Sequence, residues 1–352
     1  MDLDDMRDKI DKIDSQILSL LNQRLEHVRH IGDIKKDQNT VYYVPARESK
    51  LLRKLIEKNE GLLTNKAIKA IFVEIMSASL ALEKPISIAC LGPESTYTHQ
   101  AAVKKFGQSV SYDFENSIRG IFEKVFQGAS DYGVVPVENS LEGAVTDTLD
   151  MFAHYDLTIC SEIFLPIRHN FMLKDENASV EKIYSHPQVF GQCRNWLQEN
   201  YPKAALIPVA STTIAAKMVD EKNVAVIASD LVAKLHGLEI AHRSIQDSHE
   251  NTTRFFVIGD QGTSSTGKDK TSLFLSLQDE YGSLVDALKP FKEYGVNLTK
   301  IESRPSKKKL WKYHFYVDFE GHVDDKNVAK CLDFLKSKKI GFKYLGSYPQ
   351  EI

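Results

Sequence analysis

Apolar residues recur at alternating three- and four-residue steps through Leu3, Met6, Ile10, Ile13, Ile17, Leu20, Leu21, Val28, Ile31 and Ile34. That period predicts one amphipathic helix over residues 3–36, with no proline and only Gly32 near its end. At ~1.5 Å per residue it would run about 50 Å. That is too long to cover its apolar stripe within a compact 84-residue unit, so a second chain is expected against it. Two further helices are predicted, over Arg47–Glu60 behind Pro45 and Asn65–Leu82 ahead of Pro85. Residues 1–84 therefore read as an all-α, three-helix module.

From Ile86 the pattern changes. ISIACL, YGVVPV, KIYS and NVAVIA are short apolar runs, each followed by a turn and a helical pattern: THQAAVKKF, LEGAVTDTLDMF, QVFGQCRNWLQEN and SDLVAKL. Repeated β-turn-α units predict an α/β domain over 85–260, with ligands beyond the carboxyl ends of its strands. TTRFFVIG closes it as another strand. Residues 261–270, rich in Gly, Ser, Thr and Lys, read as a flexible linker. The last segment, 271–352, runs strand, helix, hairpin, helix, strand, with Lys307–Lys309 at the hairpin tip as a solvated loop. That order is the α+β ferredoxin-like plan.

Composition adds exclusions. With 42% hydrophobic and 26% charged residues the chain is an ordinary globular protein rather than a disordered one. A net charge of −3 offers no general affinity for nucleic acid, and residues 85–260 carry 22 acidic against 14 basic side chains. An anion site there must be built locally. Cys90, Cys160, Cys193 and Cys331 are scattered, which argues against a disulfide framework or zinc site and fits a reducing compartment. The start, MDLDDMRDKID, has no basic stretch leading into an apolar core, and no apolar run approaches the ~18 residues of a membrane span. A cytoplasmic protein with no membrane partner is expected. There is no H-E-x-x-H, P-loop or G-x-G-x-x-G, so no metal or organic cofactor is expected either.

Arg24 and Lys35, eleven residues apart, share a helix face to within about 20°, whereas Arg7 lies ~25 Å from Arg24 along the axis. One helix cannot bring both arginines to one metabolite, and spacing alone leaves all three as surface charges. The runs MRDKIDKIDSQILSLLNQR, IGDIKK, ARESKLL and SASLALE, however, resemble the all-helical chorismate mutase domain. The resemblance implies an intertwined homodimer that rearranges chorismate to prephenate. Its site would be lined by Arg7 of the second chain with Arg24, Lys35, Arg47, Glu48, Ser79 and Glu83. Such a pericyclic reaction needs a substrate held near its reacting shape, with charge stabilised at the breaking ether bond. Arginines clamp the carboxylates and Lys35 donates to the ether oxygen. Two positions depart from the family. Val44 stands where an acidic residue is common, and Glu83 where bacterial members usually carry glutamine. A carboxylate donates only when protonated, so mutase activity is expected to fall with rising pH through a raised Glu83 pKa.

Four segments of the middle domain stand beyond strand ends: Gly92-Pro93-Glu94-Ser95-Thr96-Tyr97-Thr98, Pro136-Val137-Glu138-Asn139-Ser140, Ser185-His186-Pro187-Gln188 with Gln192, and Asn251-Thr252-Thr253-Arg254-Phe255. Singly, each reads as helix capping. Together, LGPESTYTHQAA, VVPVENSLEGAVTDTLD, YSHPQVFGQC and NTTRFFVIG resemble prephenate dehydratase. The implied fold has two periplasmic-binding-like lobes, with crossings near Phe164–Asn170 and Ser244–Asn251. The implied reaction expels the ring hydroxyl as water and a carboxylate as CO₂, giving phenylpyruvate. Hydroxide departure calls for a proton donor in a water-poor pocket. The resemblance gives that role to Thr253, polarised by Arg254. Asn139, Ser185 and Gln192 would position substrate, with Thr96 and Ser140 beside it and Glu138 organising the surroundings. His186 reads as a helix-start residue. Ser95 replaces a frequent glycine of the family, which is expected to alter the first turn.

Gly282-Ser283-Leu284-Val285 opens a helix of the last segment, and Asn297-Leu298 with Glu302-Ser303-Arg304-Pro305 follows it. These resemble the ACT domain attached to prephenate dehydratases. The resemblance implies L-phenylalanine as an inhibitory effector, bound where two such domains meet in a homodimer or homotetramer. Helix-start amides would hold its carboxylate and carbonyls near Asn297 its ammonium. The whole chain thus resembles the bifunctional chorismate mutase/prephenate dehydratase family. Two alternatives stand beside that reading. One is a dehydratase preferring arogenate, the other a non-catalytic amino-acid-binding regulator, for which a broken T-R-F or E-N-S segment would be the sign. Both segments are intact.

Overall fold

The computed structural model describes residues 2–38, 40–174, 179–219, 223–278, 280–305 and 313–351. The lysine run at 307–309 lies outside them. Among the described residues no helix is long and apolar enough to cross a membrane.

The chain divides into two compact units, Met1–Ser87 with Val103–Ser111, and the remainder. The first holds α1 (Leu3–Asp37), α2 (Pro45–Glu57) and α3 (Asn65–Glu83). Thr64 Oγ1 caps α3 through the Ala67 amide at 3.1 Å. Helix α2 stops three residues before the expected Glu60 because Asn59 turns the chain, its side chain donating to Leu63 O at 2.8 Å. The outer stripe of α1 has no cover within the chain: Leu3, Met6, Ile10, Ile13, Ile17 and Leu20 are 45–63% exposed. The later segment joins this unit through amides of Gln108 and Ser109, which donate at 3.0 Å to Glu74 Oε2 and Ser77 Oγ. A boundary at residue 84 does not foresee that return.

The second unit begins with a lobe of β1 (Ser87–Leu91), α4 (Tyr97–Phe106), β2 (Ser111–Glu115), α5 (Ile118–Phe126), β3 (Tyr132–Asn139), β4 (Gly143–Ala144), α6 (Thr146–Phe152) and β5 (Thr158–Pro166). The next lobe comprises β6 (Asn170–Leu173), β7 (Lys182–Ser185), α7 (Pro187–Gln192), α8 (Arg194–Asn200), β8 (Ala205–Pro208), α9 (Thr212–Lys217), β9 (Val224–Ala228), α10 (Asp230–His236) and β10 (Glu239–His242). Strand β11 (Thr252–Gly259) then returns to the first sheet, whose order is β2-β1-β3-β11-β5; the second is ordered β10-β6-β9-β7-β8. The lobes are therefore joined where β5 leads to β6 and where β10 leads back to β11, matching the expected crossings.

The chain ends in β12 (Asp269–Ser276), α11 (Ser283–Glu293), β13 (Leu298–Pro305), β14 (Tyr313–Glu320), α12 (Lys326–Ser337) and β15 (Gly341–Pro349), with sheet order β13-β14-β12-β15. One face buries Leu273, Phe291, Val317 and Leu335. The other carries Phe274, Tyr316 and Tyr348 into the core of the first lobe, beside Phe152 and Phe256. Strand β15 crosses β5 so closely that a Cβ on Gly346 would lie 2.3 Å from Ile159 O. The segment read as a flexible linker is instead hydrogen-bonded. Asp269 Oδ2 accepts from the amides of Thr266 and Gly267 at 2.8 and 3.0 Å, and His322 Nε2 lies 2.9 Å from Thr263 O. Its small polar residues serve a tight turn.

Candidate active sites

In the helical unit, Arg24 donates to Ser79 Oγ, whose own hydrogen goes to Ile75 O at 2.7 Å. Lys35 Nζ lies 2.5 Å from Glu83 Oε2 and donates to Tyr42 O at 2.9 Å. Gly32 permits this approach: a Cβ there would meet Glu83 Cα at 3.3 Å. Burial, then the nearby Arg47, lower the Arg24 pKa, against the pull of Glu83. Glu48 pairs with Lys105 at 3.1 Å, and burial raises its carboxyl pKa despite that lysine. Arg24, Lys35, Arg47, Ser79 and Glu83 thus converge, and Lys105, which the sequence did not single out, completes the surroundings of Glu48. Arg7 does not join them. It stands on the exposed half of α1, 3.3 Å from Asp4 Oδ1. In the empty site Glu83 is an acceptor, of the lysine ammonium.

In the second unit, the antiparallel pairing of β3 and β11 sets Asn139 directly opposite Thr253. The Asn139 carboxamide has a fixed direction. Its Oδ1 accepts from the amides of Leu141 and Glu142 at 3.0 and 3.2 Å, so its Nδ2 must point away from them. That Nδ2 donates to Thr253 Oγ1 at 2.9 Å and to Asn251 Oδ1 at 2.8 Å. Asn251 Nδ2 then donates to Gln192 Oε1 at 3.0 Å, and Gln192 Nε2 to Glu142 Oε1 at 2.9 Å. Beyond Gln192 lies His169, with Nε2 2.7 Å from Gln192 Oε1 and Nδ1 2.9 Å from the Tyr97 hydroxyl. The chain of bonds runs from one lobe through both crossings to the other. Burial lowers the His169 pKa and raises that of the Tyr97 phenol.

Several expected site residues serve elsewhere. Arg254 does not polarise Thr253. Neighbours along a strand point to opposite faces, so its guanidinium is buried against Glu162 Oε2 at 2.9 Å, Asp318 Oδ2 at 2.5 Å and the Tyr348 hydroxyl at 3.0 Å. Glu138 likewise turns away from Asn139 and pairs with Lys300 at 2.7 Å. Ser185 donates to Ile227 O at 2.7 Å, Thr96 to Leu91 O at 2.6 Å and Ser140 to Glu250 O at 3.0 Å, so these hydroxyls hold backbone. His186 caps α7, as expected, with Nδ1 3.4 Å from the Gln188 amide. Ser95 keeps the turn that glycine favours, at φ +72°, and its hydroxyl lies 2.9 Å from Thr213 Oγ1. Sequence reasoning did not single out Asn251, Glu142, His169 or Tyr97. Glu142 stands three residues after Asn139, and His169 within a lobe crossing, the two signals that could have marked them.

In the last domain, Gly282 at φ +83° precedes α11, and Val285 and Tyr281 beside it are exposed. Ser283 and Leu284 are half-buried at the same helix start, and Asn297 and Leu298 lead into β13, the edge of its sheet. Along β13, burial alternates. Ser303 and Pro305 face solvent with Ile301, whereas Lys300, Glu302 and Arg304 face inward. Arg304 is therefore not open to an effector: it makes a two-pronged pair with Asp150 of α6, Nε to Oδ1 at 3.0 Å and Nη2 to Oδ2 at 3.1 Å.

Comparison with known proteins matches three families. Chorismate mutase type II matches residues 6–84, prephenate dehydratase residues 88–263, and the ACT domain residues 271–336. A bifunctional chorismate mutase/prephenate dehydratase of Aquifex aeolicus is 44% identical over 100% of this chain and 99% of its own length. One of Pseudomonas aeruginosa is 39% identical over 99% of this chain and 97% of its own length. The crystal structure of a prephenate dehydratase from Arthrobacter aurescens in complex with L-Phe is 32% identical, with a TM-score of 0.69, covering 75% of this chain and 90% of that one.

Proposed function

The chain belongs to the bifunctional chorismate mutase/prephenate dehydratase family, and on that premise we propose which of its residues perform each step. It is an enzyme of L-phenylalanine biosynthesis, joining an isomerase, a lyase and an ACT domain in one chain.

In the helical unit, Arg24 and Arg47 clamp the two carboxylates of chorismate, Lys35 and Glu83 face the ether oxygen, and Glu48 takes the ring hydroxyl. Substrate displaces the Lys35–Glu83 pair, and the lysine moves from carboxylate to ether. Arg7 of a second chain closes the site, which the uncovered stripe of α1 supports.

In the dehydratase, the carrying observation is the fixed direction of Asn139. Because its Nδ2 donates to Thr253 Oγ1, the threonine oxygen is an acceptor there, and its hydrogen remains for the substrate. Thr253 is nine-tenths buried, so that hydrogen bond forms away from bulk water. As the carbon–carbon bond to the ring carboxylate breaks, its electron pair enters the ring and expels the hydroxyl. The departing oxygen takes up one proton through Thr253, and water, CO₂ and phenylpyruvate result. Gln192 and Asn251 fix the far side of the pocket. L-Phenylalanine binds the Gly282–Val285 helix start and the Asn297–Leu298 backbone, at the exposed edge where a second ACT domain pairs.

Thr253→Ala tests the assignment. It is expected to lower dehydratase kcat at least 100-fold, leave chorismate consumption intact, and regain most turnover in Thr253→Ser. Near-normal turnover of the alanine variant contradicts it.

A further inference from the structure

Hydrogen-bond bookkeeping around Gln192 reaches residues outside the assigned machinery, and it rests on the dehydratase reading of that pocket. The Glu142 carboxylate accepts only, so the amide that meets it must present nitrogen. Gln192 Nε2 does so at 2.9 Å, and Gln188 donates to the other carboxylate oxygen. Gln192 Oε1 is thereby turned toward Asn251 Nδ2 at 3.0 Å and His169 Nε2 at 2.7 Å. A carbonyl oxygen cannot donate. His169 Nε2 must therefore carry a hydrogen.

The other ring nitrogen explains how it does so. Nδ1 is 2.9 Å from the Tyr97 hydroxyl, which also lies 2.7 Å from Arg168 O. The hydroxyl has one hydrogen and two acceptors to serve. With a neutral ring it donates to Nδ1, and Nε2 keeps its hydrogen. With a charged ring it accepts from Nδ1 and donates to Arg168 O, and Nε2 again keeps its hydrogen. Burial favours the neutral ring and the intact phenol. The remaining tautomer would set a lone pair against Gln192 Oε1.

We propose that His169 is a positioning residue of the dehydratase, its Nε2–H fixing the Gln192 amide and, through Asn251 and Asn139, the acceptor role of Thr253 Oγ1, with Tyr97 holding the required tautomer. Without that donor Gln192 has one partner fewer for Oε1, and its hold on Asn251 loosens. Asn139 then has two orientations in which to meet Thr253.

Full-length His169→Asn and His169→Gln separate positioning from mere packing. Asparagine reaches only the place of Nδ1, whereas glutamine extends an N–H to the place of Nε2. With prephenate as substrate, His169→Asn is expected to lower kcat at least 10-fold with a smaller change in KM, and His169→Gln to stay within about 3-fold of the native enzyme. Chorismate consumption by the helical unit reports that each variant is folded. Equal losses in the two variants, or an asparagine variant within 3-fold of native, overturn the proposal while leaving the dehydratase reading intact. Native protein that does not turn over prephenate at all overturns both.

Discussion

Glu83 is the residue at which the sequence and the structure pull against each other. Its side chain accepts from Lys35 at 2.5 Å, yet a family site of this kind calls for a donor toward the ether oxygen. Both demands are met if substrate arrives with the lysine shifting to the ether and the carboxyl carrying a proton. Only the protonated form donates, so mutase kcat/KM is expected to fall as pH rises from about 5 to 8. Glu83→Gln donates at every pH and is expected to flatten that slope. A flat native profile, or a slope unchanged in the variant, contradicts the role. At the same scale, motif membership proved a poor guide to direction. Thr253 and Arg254 are neighbours in one run, as are Asn139 and Glu138, but strand alternation sends the first of each pair to the pocket and the second to the ACT domain. The residue types were legible in the sequence. The side of the sheet to which each belongs was not, because it depends on the pairing of β3 with β11 and on what covers the other face.

At the scale of elements, β13 links the two functions of the second unit. The strand that carries the expected effector motif also carries Lys300, paired with Glu138 beside the catalytic Asn139, and Arg304, paired with Asp150 of α6. Any movement of β13 is felt at both ends of the segment that holds the pocket. Arg304→Met is expected to raise the phenylalanine concentration for half-inhibition at least 5-fold, because the effector then moves a strand no longer tied to α6. The single variant also leaves a largely buried Asp150 without its partner, a loss of about 3–5 kcal/mol for a fully buried pair. Arg304→Met with Asp150→Asn is expected to recover thermal stability without recovering inhibition, and recovery of both contradicts the link. Helix α1 presents the complementary case, an element whose pattern was fully legible and whose partner is not within the chain. Ile13→Asp with Ile17→Asp places two charges in the uncovered stripe. It is expected to halve the mass seen in sedimentation or light scattering and to remove mutase activity, since Arg7 must come from a second chain. A dimer that keeps its mutase activity contradicts that arrangement.

At the scale of the whole molecule, the change from helical to strand periods at Ile86 and the βαββαβ order of the last segment were readable because each period lasts long enough to exclude the other. What pattern could not supply was the return of Val103–Ser111 to the helical unit and the ordered turn around Asp269. Both depend on single polar contacts between residues distant in sequence. The three parts together describe one chemical course: prephenate is formed, consumed, and its consumption answers to the amino acid that its product becomes. The measurement that meets this claim most directly follows purified full-length chain given chorismate alone, recording chorismate loss and phenylpyruvate formation with and without millimolar L-phenylalanine. Phenylpyruvate formation that falls when phenylalanine is added is the predicted result. Chorismate that is consumed while prephenate accumulates, or phenylpyruvate formation indifferent to phenylalanine, would contradict it.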